Sequence, residues 1–126
     1  MGTDQEQSFR NSTIKGEQVE KIVSNWLIKQ GLFLVESRFR IFEGEIDLIM
    51  REHDILVFIE VRYRKNGFYG SALESINHTK CQKIIKTAQY YLQQTGWMGE
   101  CRFDVVVITG RHCEWIKDAF DAQGLS

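Results

Sequence analysis

The sequence predicts an α/β domain in which helices flank a mixed sheet, in the order αβββαββ. Two stripes of apolar residues at helical spacing mark the helices, and runs of strand composition fill the intervals. The second helix falls between the third and fourth strands, which implies a right-handed crossover and one parallel pair in an otherwise antiparallel meander.

The first helix is expected from about Thr13, a candidate N-cap, to Gln30. Val19, Ile22, Val23, Trp26 and Leu27 form its stripe and Gly31 is its stop. Glu17 points nearly opposite that stripe, whereas Glu20 borders it and can look across the sheet. Phe33 to Arg40 has strand composition, and the Phe42-Glu43-Gly44 corner turns it into a second strand at Glu45 to Met50. Ile55 to Val61 is a third, more apolar strand, followed by a loop from Arg64 to Ala72 that carries Phe68 and Tyr69 between two glycines. The second helix spans about Asn77 to Thr95, with Cys81, Ile84, Ile85, Ala88 and Leu92 buried and Gly96 as stop. Arg102 to Thr109 reads as a strand buried on both faces, and Cys113 to Lys117 as a short final strand after a turn at Gly110.

At 126 residues the chain is long enough for one domain with a real core, and 43% hydrophobic and 26% charged residues suit a globular protein. The domain is expected over residues 13–120, between a flexible N-terminal tail (1–12) and a C-terminal tail (121–126). No apolar run approaches the ~20 residues needed to span a membrane, and the polar start lacks a signal peptide's apolar region, so the cytoplasm is the expected location. Cys81, Cys101 and Cys113 show no Cys-x-x-Cys spacing, which points to reduced, buried thiols rather than a disulfide framework or zinc site. His53, His78 and His112 stand alone in turns or near caps and read as solvent-exposed.

Charge is informative only locally. A net charge of -1 argues against a protein that coats nucleic acid nonspecifically, yet Arg62, Arg64 and Lys65 lie together and Lys80, Lys83 and Lys86 recur along the second helix. Lys83 and Lys86 read as a solvated face, whereas Arg62, Arg64, Lys65 and Lys80 are candidates for backbone phosphate contact.

The chemistry is expected at Asp47 and Glu60. If His53-Asp54 is a two-residue hairpin loop, the register places Asp47 directly opposite Glu60 on one face of the sheet. Opposed carboxylates repel, and burial beside Leu56 and Phe58 raises the cost or forces one to hold a proton. A divalent cation removes the conflict, and Mg²⁺ is commonly held by one or two carboxylates together with water and phosphate oxygens. A three-residue loop would instead turn Glu60 to the other face. A strand-end ion pair of Glu60 with Arg62 or Arg38 is the competing use for the acid. Asp104, inside the fourth strand, is expected to pair with a basic residue or a cap rather than join the site.

With this element order and Asp47 and Glu60-Val61-Arg62 in place, the chain resembles the PD-(D/E)xK nuclease superfamily, whose fold is restriction-endonuclease-like. More closely, Gly16-Glu17, Gly44-Glu45-Ile46-Asp47-Leu48-Ile49, Val57-Phe58-Ile59-Glu60-Val61-Arg62, Lys80 and Arg102-Phe103-Asp104-Val105-Val106 are similar to the pattern of the YraN family. The resemblance implies a nuclease related to Holliday junction resolvases, with Mg²⁺ or Mn²⁺ as cofactor, branched or duplex DNA as partner and a two-fold homodimer as the acting form. In that pattern Lys15-Gly16 and Glu20 match the first-helix motif, Asp47 the second-strand acid and Glu60 the third-strand acid. Arg62 stands where the superfamily has lysine. A guanidinium stays protonated, so Arg62 cannot be a general base, although it can grip phosphate and stabilise developing negative charge. Lys65 and Lys80 are the candidate lysine substitutes.

Three functions follow. One is a metal-dependent, structure-selective endonuclease using Asp47, Glu60, Glu20 and Arg62. Another is a noncatalytic nucleic-acid-binding protein on the same fold. The third is a protein-interaction domain docking through Phe68 and Tyr69.

Overall fold

In the computed structural model, residues 12–64 and 76–121 are described, with side chains from Gly16 onward. The loop carrying Lys65, Phe68 and Tyr69, the side chain of Lys15, and most of both expected tails lie outside this set. The elements are α1 (Ser12–Lys29), β1 (Phe33–Ile41), β2 (Gly44–Glu52), β3 (Ile55–Arg64), α2 (His78–Thr95), β4 (Cys101–Thr109) and β5 (His112–Phe120). They form one five-stranded sheet in the order β1-β2-β3-β4-β5, antiparallel except for the β3–β4 pair that α2 bridges. This is the αβββαββ mixed sheet expected from the sequence.

The sheet is apolar on both faces because each carries a helix. On the α2 side, Ile46, Ile49, Phe58, Phe103 and Val105 pack against Ile84, Ile85 and Ala88. On the α1 side, Leu48, Met50, Val57, Ile59 and Val106 pack against Val23 and Leu27. Asn77 caps α2 by accepting from the Lys80 N–H at 2.8 Å, and Gly96 ends it in the left-handed conformation (φ 69°).

Several expectations are corrected. Ile22, placed in the buried stripe of α1, is 65% exposed, because only a narrow stripe centred on Val23 and Leu27 meets the sheet. Two of the three thiols, Cys101 and Cys113, are exposed rather than buried, since they sit at strand ends beyond the reach of either helix. β5 runs on to Phe120 instead of stopping at Lys117. A register shift between Phe103 and Val105 absorbs Asp118 in a positive-φ conformation (φ 52°), after which Phe120 stacks on Phe103 at 5.1 Å.

Gly44 fixes how closely α2 lies on the β1–β2 corner. A Cβ there would stand 2.6 Å from Thr87 Oγ1 and 3.2 Å from the Lys83 carbonyl oxygen. Thr87 cannot yield readily, because it is fully buried and donates to that same carbonyl at 2.7 Å. Gly44→Ala is expected to cost ~1–3 kcal/mol through overpacking, read as a lower urea midpoint at unchanged slope. An unchanged midpoint would show that α2 can lift off without loss.

Candidate functional site

The hairpin has the short loop that the acid pair requires. β2 and β3 pair from Glu52↔Ile55 to Leu48↔Ile59, with His53 at φ 53° in the turn. One step further, that register carries Asp47 opposite Glu60. There the ladder ends, and Asp47 Oδ2 accepts a 2.8 Å hydrogen bond from the Val61 N–H of β3. A side chain has taken the place of a strand carbonyl.

A local break in the pleat positions Asp47. Ile46 belongs to the α2-side core and Leu48 to the α1-side core, although residues two apart on a regular strand share a face. On β1, Ser37 pairs with Leu48 and Phe39 with Ile46, so Arg38 lies beside Asp47, and Arg38 has φ 52°. A non-glycine residue pays about 1–2 kcal/mol for that conformation. Such irregularities re-aim side chains and recur beside functional sites. Here Arg38 turns toward α1, binding Glu20 at 2.8 and 3.3 Å and reaching Glu17 at 3.4 Å.

Glu60 is 3% exposed. Burial, a hydrogen bond with Asp47 and the charge of Asp47 push its carboxyl up to about 9, while the Lys80 and Arg62 charges act in the opposite direction. At neutral pH Glu60 therefore holds its proton. Lys80, from the first turn of α2, is 3.6 Å from Glu60 Oε2, and Arg62 follows Glu60 on the same face of β3. Lys80 is thus in ion-pair reach of Glu60, while Arg38 is engaged by Glu20.

Glu20 stands apart from this core. Its carboxyl is raised, chiefly by burial; the Arg38 hydrogen bond opposes that, and the Asp47 charge adds to it. The Asp47 charge reaches it, but its carboxylate is clamped by Arg38. Arg64 Nε donates to Thr109 Oγ1 at 3.1 Å, at the same end of the sheet. Lys83 and Lys86 are exposed on α2, as are all three histidines. Among the described residues, no group of three or more His, Cys, Asp and Glu side chains converges as a ready-made metal cage. Nor is any described helix long and apolar enough to cross a membrane.

Sequence reasoning named Arg38 only as a partner for Glu60 and missed its pairing with Glu20. Its strand composition gave no sign of a left-handed residue, although an arginine across from an acid on the neighbouring strand was a usable hint.

The fold and site together define a mixed α/β domain with a buried Glu60 beside a half-buried Asp47 where two strands part, flanked by basic side chains. The chain belongs to the uncharacterised protein family UPF0102, whose profile matches residues 19–108. It is 42% identical over 119 residues to a UPF0102 protein of Chromohalobacter salexigens, covering 91% of this chain and 97% of that one. It is 46% identical over 112 residues to a UPF0102 protein of Nitrosococcus oceani, covering 84% and 90%. It is 43% identical over 109 residues to the UPF0102 protein YraN of Salmonella agona, covering 84% and 83%.

Proposed function

We propose that this chain is a metal-dependent, structure-selective endonuclease-like protein acting on DNA phosphodiester bonds, with the resolvase-like PD-(D/E)xK nucleases as its relatives. The observation that supports this reading most is the pairing of Asp47 with the buried Glu60, in which a proton on Glu60 relieves the repulsion that a cation would otherwise relieve. Two carboxylates fit Mg²⁺ or Mn²⁺, which complete their shells with water and phosphate oxygens. Bound there, the metal would supply Lewis-acid activation of water and charge neutralisation at phosphorus.

The chain's own residues have separate tasks. Asp47 is held by the Val61 N–H through Oδ2 and shares a hydrogen bond with Glu60. Glu60 would hold the metal as a carboxylate, the form that the Lys80 and Arg62 charges favour. Arg62, Arg64 and Lys80 are the phosphate contacts, and Lys65 is assigned with them from the sequence. Glu20, locked to Arg38, tunes the charge around Asp47 rather than acting as a third ligand.

Arg62 favours a second reading, a nucleic-acid-binding protein that does not cut, because a permanently protonated guanidinium cannot accept a proton from water. Calorimetric titration separates metal binding from cleavage. Asp47→Ala is expected to weaken Mn²⁺ binding at least about tenfold, the loss of one of two carboxylate ligands. Incubation with four-way junctions and flaps should then give products with the wild type and none with Glu60→Ala. Equal metal affinity in wild type and Asp47→Ala sinks the two-carboxylate site. Metal binding and DNA binding without products would make the noncutting protein the correct reading.

A further inference from the structure

The acid pair already has a cation beside it. Lys80 Nζ lies 3.6 Å from Glu60 Oε2, and Lys80 acts on that carboxyl more strongly than Arg62 does. The two ends of this contact differ in freedom. Glu60 is buried within β3 at 3% exposure, whereas the Lys80 side chain keeps 39% of its surface in solvent at the first turn of α2. The Lys80 backbone is fixed, because Asn77 Oδ1 accepts its N–H at 2.8 Å, so a flexible aliphatic stem joins a rigid anchor to a movable ammonium. We infer that Lys80 is an interlock at the acid pair: it opposes metal loading in the free chain and gives way when a phosphodiester draws its ammonium off Glu60.

Charge and reach carry the inference, which rests on the metal-dependent reading above. A divalent cation held by Asp47 and Glu60 would stand beside an ammonium in ion-pair reach of the same carboxyl. Repulsion there is stronger than between solvated surface charges, because Glu60 is buried. Lys80 relieves it by swinging outward, which its half-exposed side chain allows. An ammonium has donors and no acceptor, so a phosphate oxygen is the partner that can replace Glu60. Metal and phosphate therefore bind with positive coupling through one side chain, and by linkage each raises the affinity for the other by the same factor. Arg38 cannot take this part, being held by Glu20 and Glu17. Lys83 and Lys86 are exposed further along α2. The consequence is regulatory: chains not engaged with nucleic acid stay poor in metal, and the site assembles on its substrate.

Mn²⁺ uptake by the full chain, read from the paramagnetic resonance signal of the free ion, tests this with and without a four-way DNA junction, against a junction-only blank. Without DNA, Lys80→Met is expected to bind Mn²⁺ at least about fivefold tighter than wild type, and Lys80→Gln likewise. Lys86→Met removes the same charge from an exposed position of α2 and should stay within about twofold of wild type. The junction should tighten Mn²⁺ binding to wild type at least about tenfold, and by a factor several times smaller in Lys80→Met. Weaker binding by Asp47→Ala with no tightening in Lys80→Met overturns the interlock alone and leaves Lys80 a phosphate contact. Equal tightening in Lys86→Met, or an equal junction effect in wild type and Lys80→Met, overturns it as well. Unchanged Mn²⁺ affinity in Asp47→Ala, or no uptake by either wild type or Lys80→Met, overturns the two-carboxylate site and the interlock together.

Discussion

Glu60→Gln is expected to stabilise the metal-free protein at pH 8 and to abolish its stabilisation by Mg²⁺ or Mn²⁺. The Glu60 carboxyl titrates near 4.5 when unfolded and is pushed up to about 9 in the fold. Between those values the native state holds a proton that the unfolded state has released, so stability falls as pH rises, by up to ~1.4 kcal/mol per pH unit. The amide of Gln cannot ionise and imitates the protonated acid toward Asp47. At pH 8 the variant should gain ~1–3 kcal/mol over wild type, a rise of several degrees in melting temperature, and the gain should vanish near pH 4.5. Added Mg²⁺ should reverse the order at pH 8, because a cation that binds only the folded wild type stabilises by mass action. Melting curves across pH 5–9, with and without metal, check this. A wild type that becomes more stable relative to the variant as pH rises without metal would show that Glu60 is ionised and satisfied in the fold.

This instability is coherent with a site kept for binding rather than for folding. A chain selected only for stability would carry the uncharged amide at position 60. Retaining an acid against Asp47, at 3% exposure, makes sense where a ligand of positive charge completes the arrangement.

The acid pair was legible in the sequence because a two-residue loop ties register to residue number, so His53-Asp54 alone decides which side chain faces Asp47. The parallel β3–β4 pair was legible for a similar reason: a helix between two strands forces a crossover. What escaped depended on departures from regular geometry. Arg38 in a left-handed conformation cannot be read from a run of strand formers, and it makes Glu20, a candidate to assist the acid pair, half of an ion pair. Lys80 was legible as a cation near the site, yet its 3.6 Å approach to Glu60 depends on how closely α2 seats, which Gly44 sets through Thr87. Asp104 was read correctly as a paired acid, though the extent of its network was hidden in the β5 irregularity.

That network supports the largest expected loss of stability. Asp104 is fully buried and accepts from Arg102 Nε at 3.0 Å, Trp115 Nε1 at 2.9 Å and the Asp118 N–H at 2.9 Å. Arg102 also donates to Glu52 at 2.7 Å, holding that carboxyl below the usual range, so one cluster joins β2, β4 and β5. Asp104→Ala removes the shared acceptor and leaves a poorly solvated guanidinium, an indole N–H and a backbone N–H to find others. The expected cost is ~3–5 kcal/mol, a large part of a typical domain's total. Asp104→Asn keeps the shape and one acceptor oxygen and should cost ~1–3 kcal/mol. The damage should be directional: amides of 116–120 on β5 lose hydrogen-exchange protection first, because the Asp118 N–H bond anchors the bulge that lets Phe120 reach Phe103. Faster exchange spread evenly over all five strands would mean that the cluster stabilises the sheet as a whole. A loss below ~1 kcal/mol would mean that desolvating these charges offsets nearly everything their hydrogen bonds contribute.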